Sequence, residues 1–261
     1  MKLKMIVLAL GLVASAASQA ALVAPDNLGN GEMMLVVFDA NQSYEKDLGI
    51  TYSQFLASAG TSANWATLTS STSANWTNFL AAVVDPTAVQ YAVINGKTPN
   101  GGPNDAVLST INADSVGNVI GTFTSEDVTG ARAQVSTYYG NLAFSGTMNT
   151  SVNGDSRNLA GSAGYYLTTA MDTFNGSLYG NSSSVGTSMV FERLQRNQSG
   201  LSDPTETLYG DAANAVSFNQ VGGNYVLQYS VQAVPEASGY AMALAGFGLI
   251  GFFGIRRRNQ A

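Results

Sequence analysis

The C-terminal segment constrains the fold most, because it has to be set apart before any other pattern is interpreted. Residues 238–255 contain no charged side chain. At about 1.5 Å per helical residue, such a run approaches the thickness of a bilayer's hydrocarbon core, about 30 Å. Arg256, Arg257 and Arg258 follow directly, and an arginine cluster of this kind stays on the cytoplasmic side. The pattern predicts a transmembrane helix over 238–255, with the preceding residues outside the cytoplasm.

A short motif stands directly before the apolar run and consists of Val234, Pro235, Glu236 and Ala237. The order of motif, apolar helix and arginine cluster resembles the PEP-CTERM protein-sorting signal of Gram-negative bacteria, although Ala237 stands where that signal usually has a second proline. The resemblance implies sorting and processing by exosortase, a membrane transpeptidase-like enzyme, over residues 234–261. It also implies an inner-membrane precursor that later reaches the cell surface or matrix. A permanent anchor and a buried core helix are the alternatives.

The N-terminus carries a second targeting signal. Lys2 and Lys4 precede an apolar run over residues 5–17, and small residues follow. This order predicts a secretory signal peptide over residues 1–20, cleaved between Ala20 and Ala21. The run is short for a stable span, and an N-terminal anchor is the alternative. The exported globular domain is therefore expected over residues 21–233.

The exported domain is strongly acidic. Residues 21–233 contain six lysines and arginines and sixteen acids, which gives a formal charge of −10. The whole-chain value of −6 hides this, because the other basic residues lie in the two targeting segments. Nucleic acid is excluded as a partner, since an acidic surface repels phosphate.

Cysteine and histidine are both absent from the chain. Disulfides, zinc chemistry and catalytic Ser-His or Cys-His pairs are therefore excluded. The sequence indicates no cofactor and no metal site. Glycine, serine, threonine and asparagine are abundant beside plentiful apolar residues, which favours a folded domain with an uncharged polar surface. That composition suits the extracellular matrix.

Local patterns predict a domain of mixed secondary structure. Strands are predicted at 32–38, 43–48, 89–94, 107–111, 119–123, 189–194, 215–218 and 225–231, and helices at 51–59, 76–84 and from Ser125 to Tyr139. A Ser/Thr-rich linker is expected after residue 60, and 140–186 gives no clear pattern. The predicted fold class is α+β, with N- and C-terminal hairpins in one antiparallel sheet packed by a few short helices.

Three patterns could carry chemistry, and each has a plainer explanation. Ser43 and Lys46 have the Ser-x-x-Lys spacing of a catalytic pair, but in a strand they face opposite sides. Asp39-x-Asn41-x-Ser43 has the oxygen spacing of a calcium loop, but the glycine that such a loop needs is missing, so a hairpin turn is favoured. Glu126 and Asp127 fit the first turn of a helix better than a glycosidase pair.

The two tryptophans, Trp65 and Trp76, could form a stacking platform for sugars, although large aromatic residues at helical spacing more often fill a core. The function predicted from the sequence is a non-enzymatic protein of the cell surface or of the extracellular matrix, such as a biofilm. Its partners would be exosortase, the export machinery and the membrane, and exopolysaccharide is a further candidate. The alternatives are a carbohydrate-binding surface module and, third, a hydrolase.

Overall fold

The computed structural model describes residues 22, 31–59, 61–97, 105–116, 123–144, 148, 154–167, 181–197, 202–209 and 216–231. The targeting segments predicted at 1–20 and 234–261, the cleavage site between Ala20 and Ala21, and residues 119–122 of a predicted strand lie outside these residues.

The described residues contain eleven strands and three α-helices. The strands are β1 (Glu32–Phe38), β2 (Gln42–Thr51), β3 (Ala63–Leu68), β4 (Gln90–Lys97), β5 (Ala106–Ile111), β6 (Asp155–Leu159), β7 (Ser183–Ser184), β8 (Ser188–Gln195), β9 (Thr205–Tyr209), β10 (Val216–Val221) and β11 (Asn224–Tyr229). The helices are α1 (Tyr52–Ser58), α2 (Ala74–Ala82) and α3 (Ser125–Phe144), and short 3₁₀ turns lie at Pro86–Ala88 and Ala113–Ser115.

The eleven strands form one antiparallel sheet in the order β3-β11-β10-β8-β5-β4-β1-β2-β6, with β7 paired to β4 and β9 to β8. Strand β8 changes partner along its length. Met189 pairs with Val216 of β10, whereas Phe191 pairs with Tyr209 of β9. The edge strands of this order are β3 and β6.

Strand β1 lies inside the sheet and is buried on both faces. Every residue of its run is buried, and the alternation of side chains sends Val36 to one face and Val37 to the other. An apolar run of this kind is typical of a strand covered on both sides. The predicted strand at 32–38 and its hairpin with the next strand are present in the structure.

Helix α3 covers one face of the sheet, which we term the α3 face. Its residues Val135 and Tyr139 lie in one apolar cluster with Val36 of β1 and Ile94 of β4. The helix begins at Ser125 after a reciprocal cap: the Thr124 N–H donates to Asp127 Oδ2, and the Asp127 N–H donates to Thr124 Oγ1. The helix thus begins at Ser125, where the sequence predicts it, and Thr124 is its cap.

The opposite face packs against α1 and α2. Phe55 of α1 and Phe79 of α2 share one apolar cluster with Val93 of β4 and Leu227 of β11. Strands distant in the sheet order thus contribute to the same core, so the sheet curls around it like half of a barrel. Helix α1 starts where predicted, at a capping box formed by Thr51 and Gln54.

The predicted α+β fold class is wrong, because the described residues are mostly β with a few short helices. The sequence patterns missed β3, β6, β7 and β9. The stretch predicted as a linker contains β3, a largely exposed edge strand whose residues do not alternate between apolar and polar. Strand β6 lies in the region that gave no clear pattern, because the residues it buries are polar.

Within the described ranges, no helix combines the length and the apolar character needed to cross a membrane. The transmembrane helix predicted at 238–255 lies outside those ranges. The described part of the chain is a mostly β domain rather than the predicted mixed domain.

Candidate functional site

A fully buried carboxyl group lies between the sheet and α3. Glu45 of β2 pairs with Val36 of β1, so its side chain is on the α3 face, and its exposed fraction is 0%. Burying an acid is costly unless protein donors replace the lost water. The surroundings of Glu45 are therefore the first place to look for a functional site.

Each oxygen of the Glu45 carboxyl group accepts two hydrogen bonds. Oε1 accepts from Ser43 Oγ at 2.5 Å and from the Tyr138 hydroxyl at 2.9 Å. Oε2 accepts from Ser156 Oγ at 2.6 Å and from Asn158 Nδ2 at 2.8 Å. The capacity of the carboxylate to accept hydrogen bonds is thus largely used by protein donors. We term these five residues the Glu45 cluster.

Strand register brings the cluster together. Glu45 pairs with Ser156, and Ser43 pairs with Asn158, in the antiparallel ladder of β2 and β6. Because side chains in a strand alternate, all four lie on the α3 face. The fifth member, Tyr138, comes from α3 and reaches the carboxyl group from above the sheet.

The loop after β6 closes the cluster. The Tyr166 N–H donates to Ser43 Oγ at 3.1 Å, and the Tyr166 ring packs 5.7 Å from the Tyr138 ring between centroids. The Tyr166 hydroxyl accepts from Asn181 Nδ2 at 2.8 Å. Members of the Glu45 cluster are between 0% and 2% exposed, so solvent does not reach the carboxyl group.

Burial sets the electrostatics of the cluster. It raises the pKa of Glu45 from 4.5 to about 7, because the loss of hydration outweighs the four donors, which act in the opposite direction. Burial, together with the neighbouring Glu45 carboxyl, holds the pKa of Tyr138 well above its usual value of 10.0. Tyr138 therefore remains a neutral donor at every pH at which Glu45 titrates.

A carboxyl group with a pKa near neutrality has the acidity of a general acid or base. Catalysis also needs contact with a substrate, and the Glu45 cluster is sealed by α3 and by the Tyr166 loop. Both carboxyl oxygens are already occupied by protein donors. The arrangement is suited to tying β2, β6 and α3 together, rather than to turning over a substrate.

A second polar link joins β6 to the opposite side of the sheet. The Tyr44 hydroxyl donates to Asp155 Oδ2 at 2.9 Å, and Asn75 Nδ2 of α2 donates to Asp155 Oδ1 at 3.0 Å. Lys46 pairs with Asp155 across the ladder, and burial lowers its pKa. Edge strand β6 is thus held by polar contacts on both faces.

Two of the three patterns that could carry chemistry have plainer structural explanations. Ser43 is on the α3 face, while Lys46 pairs with Leu35, which faces the other side, so the two do not meet. Asp39 Oδ1 accepts from the Asn41 N–H at 2.7 Å and from the Gln42 N–H at 3.0 Å, which makes the calcium-like segment a hairpin turn. No group of three potential metal ligands occurs among the described residues.

The two tryptophans lie in the core of the α1/α2 side. Trp76 is 0% exposed and stacks on Phe79 with ring centroids 5.5 Å apart. Trp65 is half-buried and stacks on Tyr229 at 4.9 Å. The faces on which a sugar would stack are therefore partly or fully covered by other aromatic rings.

Sequence reasoning missed the Glu45 cluster. Alternating polar residues at Ser43 and Glu45, and again at Ser156 and Asn158, are the pattern of a strand face that meets water. The two polar faces meet only because β2 pairs with β6. Nothing in the sequence indicates that these two strands pair.

The fold and the cluster together define a mostly β domain held by a sealed polar network. The family model of the PEP-CTERM protein-sorting motif matches residues 233–258, which confirms the resemblance found in the sequence. The match indicates an exported protein that is sorted by exosortase and that passes through a membrane-associated precursor. No curated protein and no solved structure matches the chain.

Proposed function

We propose that the chain is a non-enzymatic protein of the cell surface or extracellular matrix, delivered and processed by exosortase. The match to the sorting motif at 233–258 carries the proposal. In this reading Pro235 and Glu236 mark the segment that is processed, and the exported domain upstream is the part that remains outside the cell.

The chemistry of the described residues supports a structural rather than a catalytic role. The sequence has no histidine and no cysteine. Burial raises the pKa of Glu45 to about 7, but four protein donors surround its carboxyl group. Asp155 serves as an acceptor for Tyr44 and Asn75. These acids are committed to holding strands and helices together.

The composition fits the proposed location. The exported domain has a formal charge of −10 and many serine, threonine and asparagine residues. Such a surface stays hydrated and repels anionic lipid and nucleic acid. It is compatible with a neutral, hydrated exopolysaccharide, as in a biofilm matrix.

Mass spectrometry of the protein from its own cells tests the sorting role. We expect a precursor and a shorter mature form, the difference corresponding to loss of the tail near Pro235 and Glu236. The double variant Pro235→Ala, Glu236→Ala should accumulate as precursor, and so should the unaltered chain in cells without exosortase. Gln232→Ala, just upstream of the matched segment, is the matched control and should mature normally. A surface protein that keeps the whole tail would contradict the proposal.

Incubation of the mature protein with purified polysaccharides tests the absence of catalysis. We expect no hydrolysis products. Turnover that disappears when a single acid is replaced by its amide would show that the chain is an enzyme. Binding without turnover, lost in Trp65→Ala while the fold is kept, would favour the carbohydrate-binding alternative instead.

A further inference from the structure

The charges of the domain are distributed unevenly along the chain. Residues 51–84 contain no charged side chain, and neither do residues 212–235. These two segments supply α1, β3, α2, β10 and β11, and the strands among them lie together because β3 pairs with β11 and β11 with β10. The formal charge of −10 therefore belongs to other parts of the domain, and the surface formed by these elements is uncharged.

Four of the described strands have a single partner strand and thus present a free edge, namely β3, β6, β7 and β9. Exposed edges are usually blunted by charged residues or kept very short, because unpaired N–H and C=O groups invite a further strand. Strand β6 carries Asp155 and Arg157, β9 carries Glu206, and β7 has only two residues. Strand β3 has six residues with neither a charge nor a proline. It is therefore the least protected edge among the described strands.

The side chains of β3 leave its edge open. Ala63, Asn64 and Thr67 are exposed and small. A register shift against β11 lies at Trp65, whose ring stacks on the buried Tyr229 with centroids 4.9 Å apart. Residues on both sides of the shift keep their pairing with β11, and within the described ranges no further strand pairs with the outer edge of β3.

Charge favours a second copy of the chain as the partner at this edge. Two domains that each carry a formal charge of −10 repel each other over much of their surfaces. The repulsion is weakest where both copies present uncharged strands. A free edge binds another strand mainly through backbone hydrogen bonds. Antiparallel pairing of β3 with the β3 of a second copy also has twofold symmetry, which is the commonest symmetry of association between identical chains.

We propose that β3 is an association edge, at which two copies of the chain pair their β3 strands antiparallel and extend the sheet from one domain into the next. Each copy then satisfies the backbone groups that the other leaves unpaired, and the uncharged β10, β11 and β3 strands of the two copies become continuous. The proposal does not depend on how the tail is processed or on whether the domain is an enzyme.

Sedimentation velocity of the protein purified from its own cells, over a range of concentrations, tests for association. The double variant Asn64→Lys, Thr67→Lys places like charges of the two copies opposite each other. We expect dimers of the native chain, and we expect the double variant to need at least about tenfold higher concentration to associate. Val226→Lys, Gln228→Lys is the matched control, because these residues pair with Thr67 and Asn64 and carry the same charge one strand away from the edge. The control should associate like the native chain.

Disulfide trapping locates the contact by a second route, since the chain has no cysteine and an introduced cysteine is its only thiol. Antiparallel pairing of β3 with itself about its centre places Asn64 of one copy opposite Thr67 of the other. A mixture of Asn64→Cys and Thr67→Cys should therefore form more crosslinked dimer under mild oxidation than either variant alone. Leu159→Cys is the matched control, because Leu159 is 56% exposed on the edge strand β6, and it should stay monomeric.

Several outcomes would overturn the proposal. A native chain that is monomeric at every concentration would do so, and so would equal weakening by the β11 control or equal crosslinking at Leu159. Association that occurs only after a neutral polysaccharide is added would also overturn it, because the uncharged surface would then bind sugar rather than a second copy.

Discussion

Replacing Glu45 by glutamine tests whether burial or hydrogen bonding dominates the cluster. The amide has nearly the same shape as the carboxyl group but does not ionise. Its nitrogen cannot accept a hydrogen bond, so one pair of donors, such as Ser156 Oγ and Asn158 Nδ2, loses its acceptor. The serine hydroxyl can rotate and accept from the new amide, which limits the loss.

The magnitude follows from the pKa. Folding raises the pKa of Glu45 from 4.5 to about 7, so the folded state binds the proton more tightly than the unfolded chain. The stability associated with this group is fully present below about pH 4.5 and is lost as the pH rises through about 7. The total loss is about 3 kcal/mol, since one pKa unit corresponds to about 1.4 kcal/mol. The Glu45→Gln variant lacks this dependence.

The assay is urea unfolding of both proteins at several pH values, followed by tryptophan fluorescence. The quantity of interest is the difference in unfolding free energy between the two proteins, because the other titrating groups cancel in it. We expect this difference to move by about 2.5 kcal/mol in favour of Glu45→Gln between about pH 5 and pH 8. A flat difference, or a change in favour of the native chain, would refute the reasoning by showing that the four donors keep Glu45 ionised.

Three glycines give further predictions, each measured as a change in the free energy of unfolding. Gly223 has φ +85 in the turn between β10 and β11, so Gly223→Ala should destabilise by about 1–2 kcal/mol, and no loss would contradict the left-handed turn. Gly130 lies in α3, where an added Cβ meets nothing within 4 Å, so Gly130→Ala should stabilise by up to about 1 kcal/mol, and destabilisation would argue against that helix. At Gly164 an added Cβ would collide with the side chain of Asn158. Gly164→Ala should therefore destabilise by about 1–3 kcal/mol and steepen the pH dependence that Glu45 gives to the free energy of unfolding. A neutral effect would show that the loop is not held there.

Local signals in the sequence were sufficient for the elements that bury apolar side chains. The run at Glu32–Phe38 was predicted as a strand because its residues are apolar and β-forming, and β1 has those bounds. Helix α1 was predicted from the spacing of Tyr52 and Phe55, which are the residues it buries. Where an element buries apolar side chains at regular positions, the spacing of those residues in the sequence indicates the type of element.

Other strands could not be predicted because tertiary contacts stabilise them. Strand β3 is paired to β11 with a register shift and has mostly exposed residues, so its sequence lacks an apolar face. Strand β6 buries Ser156 and Asn158, which are residue types that usually favour turns. Missing these strands while finding the helices produced the error in fold class.

The candidate site escaped prediction for a related reason. Glu45 is separated from Ser156 and Asn158 by more than a hundred positions in the sequence. No local pattern in β2 or β6 indicates that these two strands pair. Trp76, by contrast, was correctly weighed as a core residue from its helical spacing.

The Glu45 cluster explains how an edge strand with so few apolar residues keeps its register. Shifting a strand by one residue turns every side chain to the opposite face. A one-residue slip of β6 against β2 would carry Ser156 and Asn158 away from Glu45, leaving a buried carboxyl with two of its four donors. It would also separate Asp155 from the Tyr44 hydroxyl on the other face. An uncompensated buried charge costs several kcal/mol, whereas an apolar strand face tolerates other packings more readily. The polar residues of β6 therefore specify a single pairing with β2. An apolar pattern at a sheet edge would specify the register less well, and it would also make the edge strand prone to aggregation.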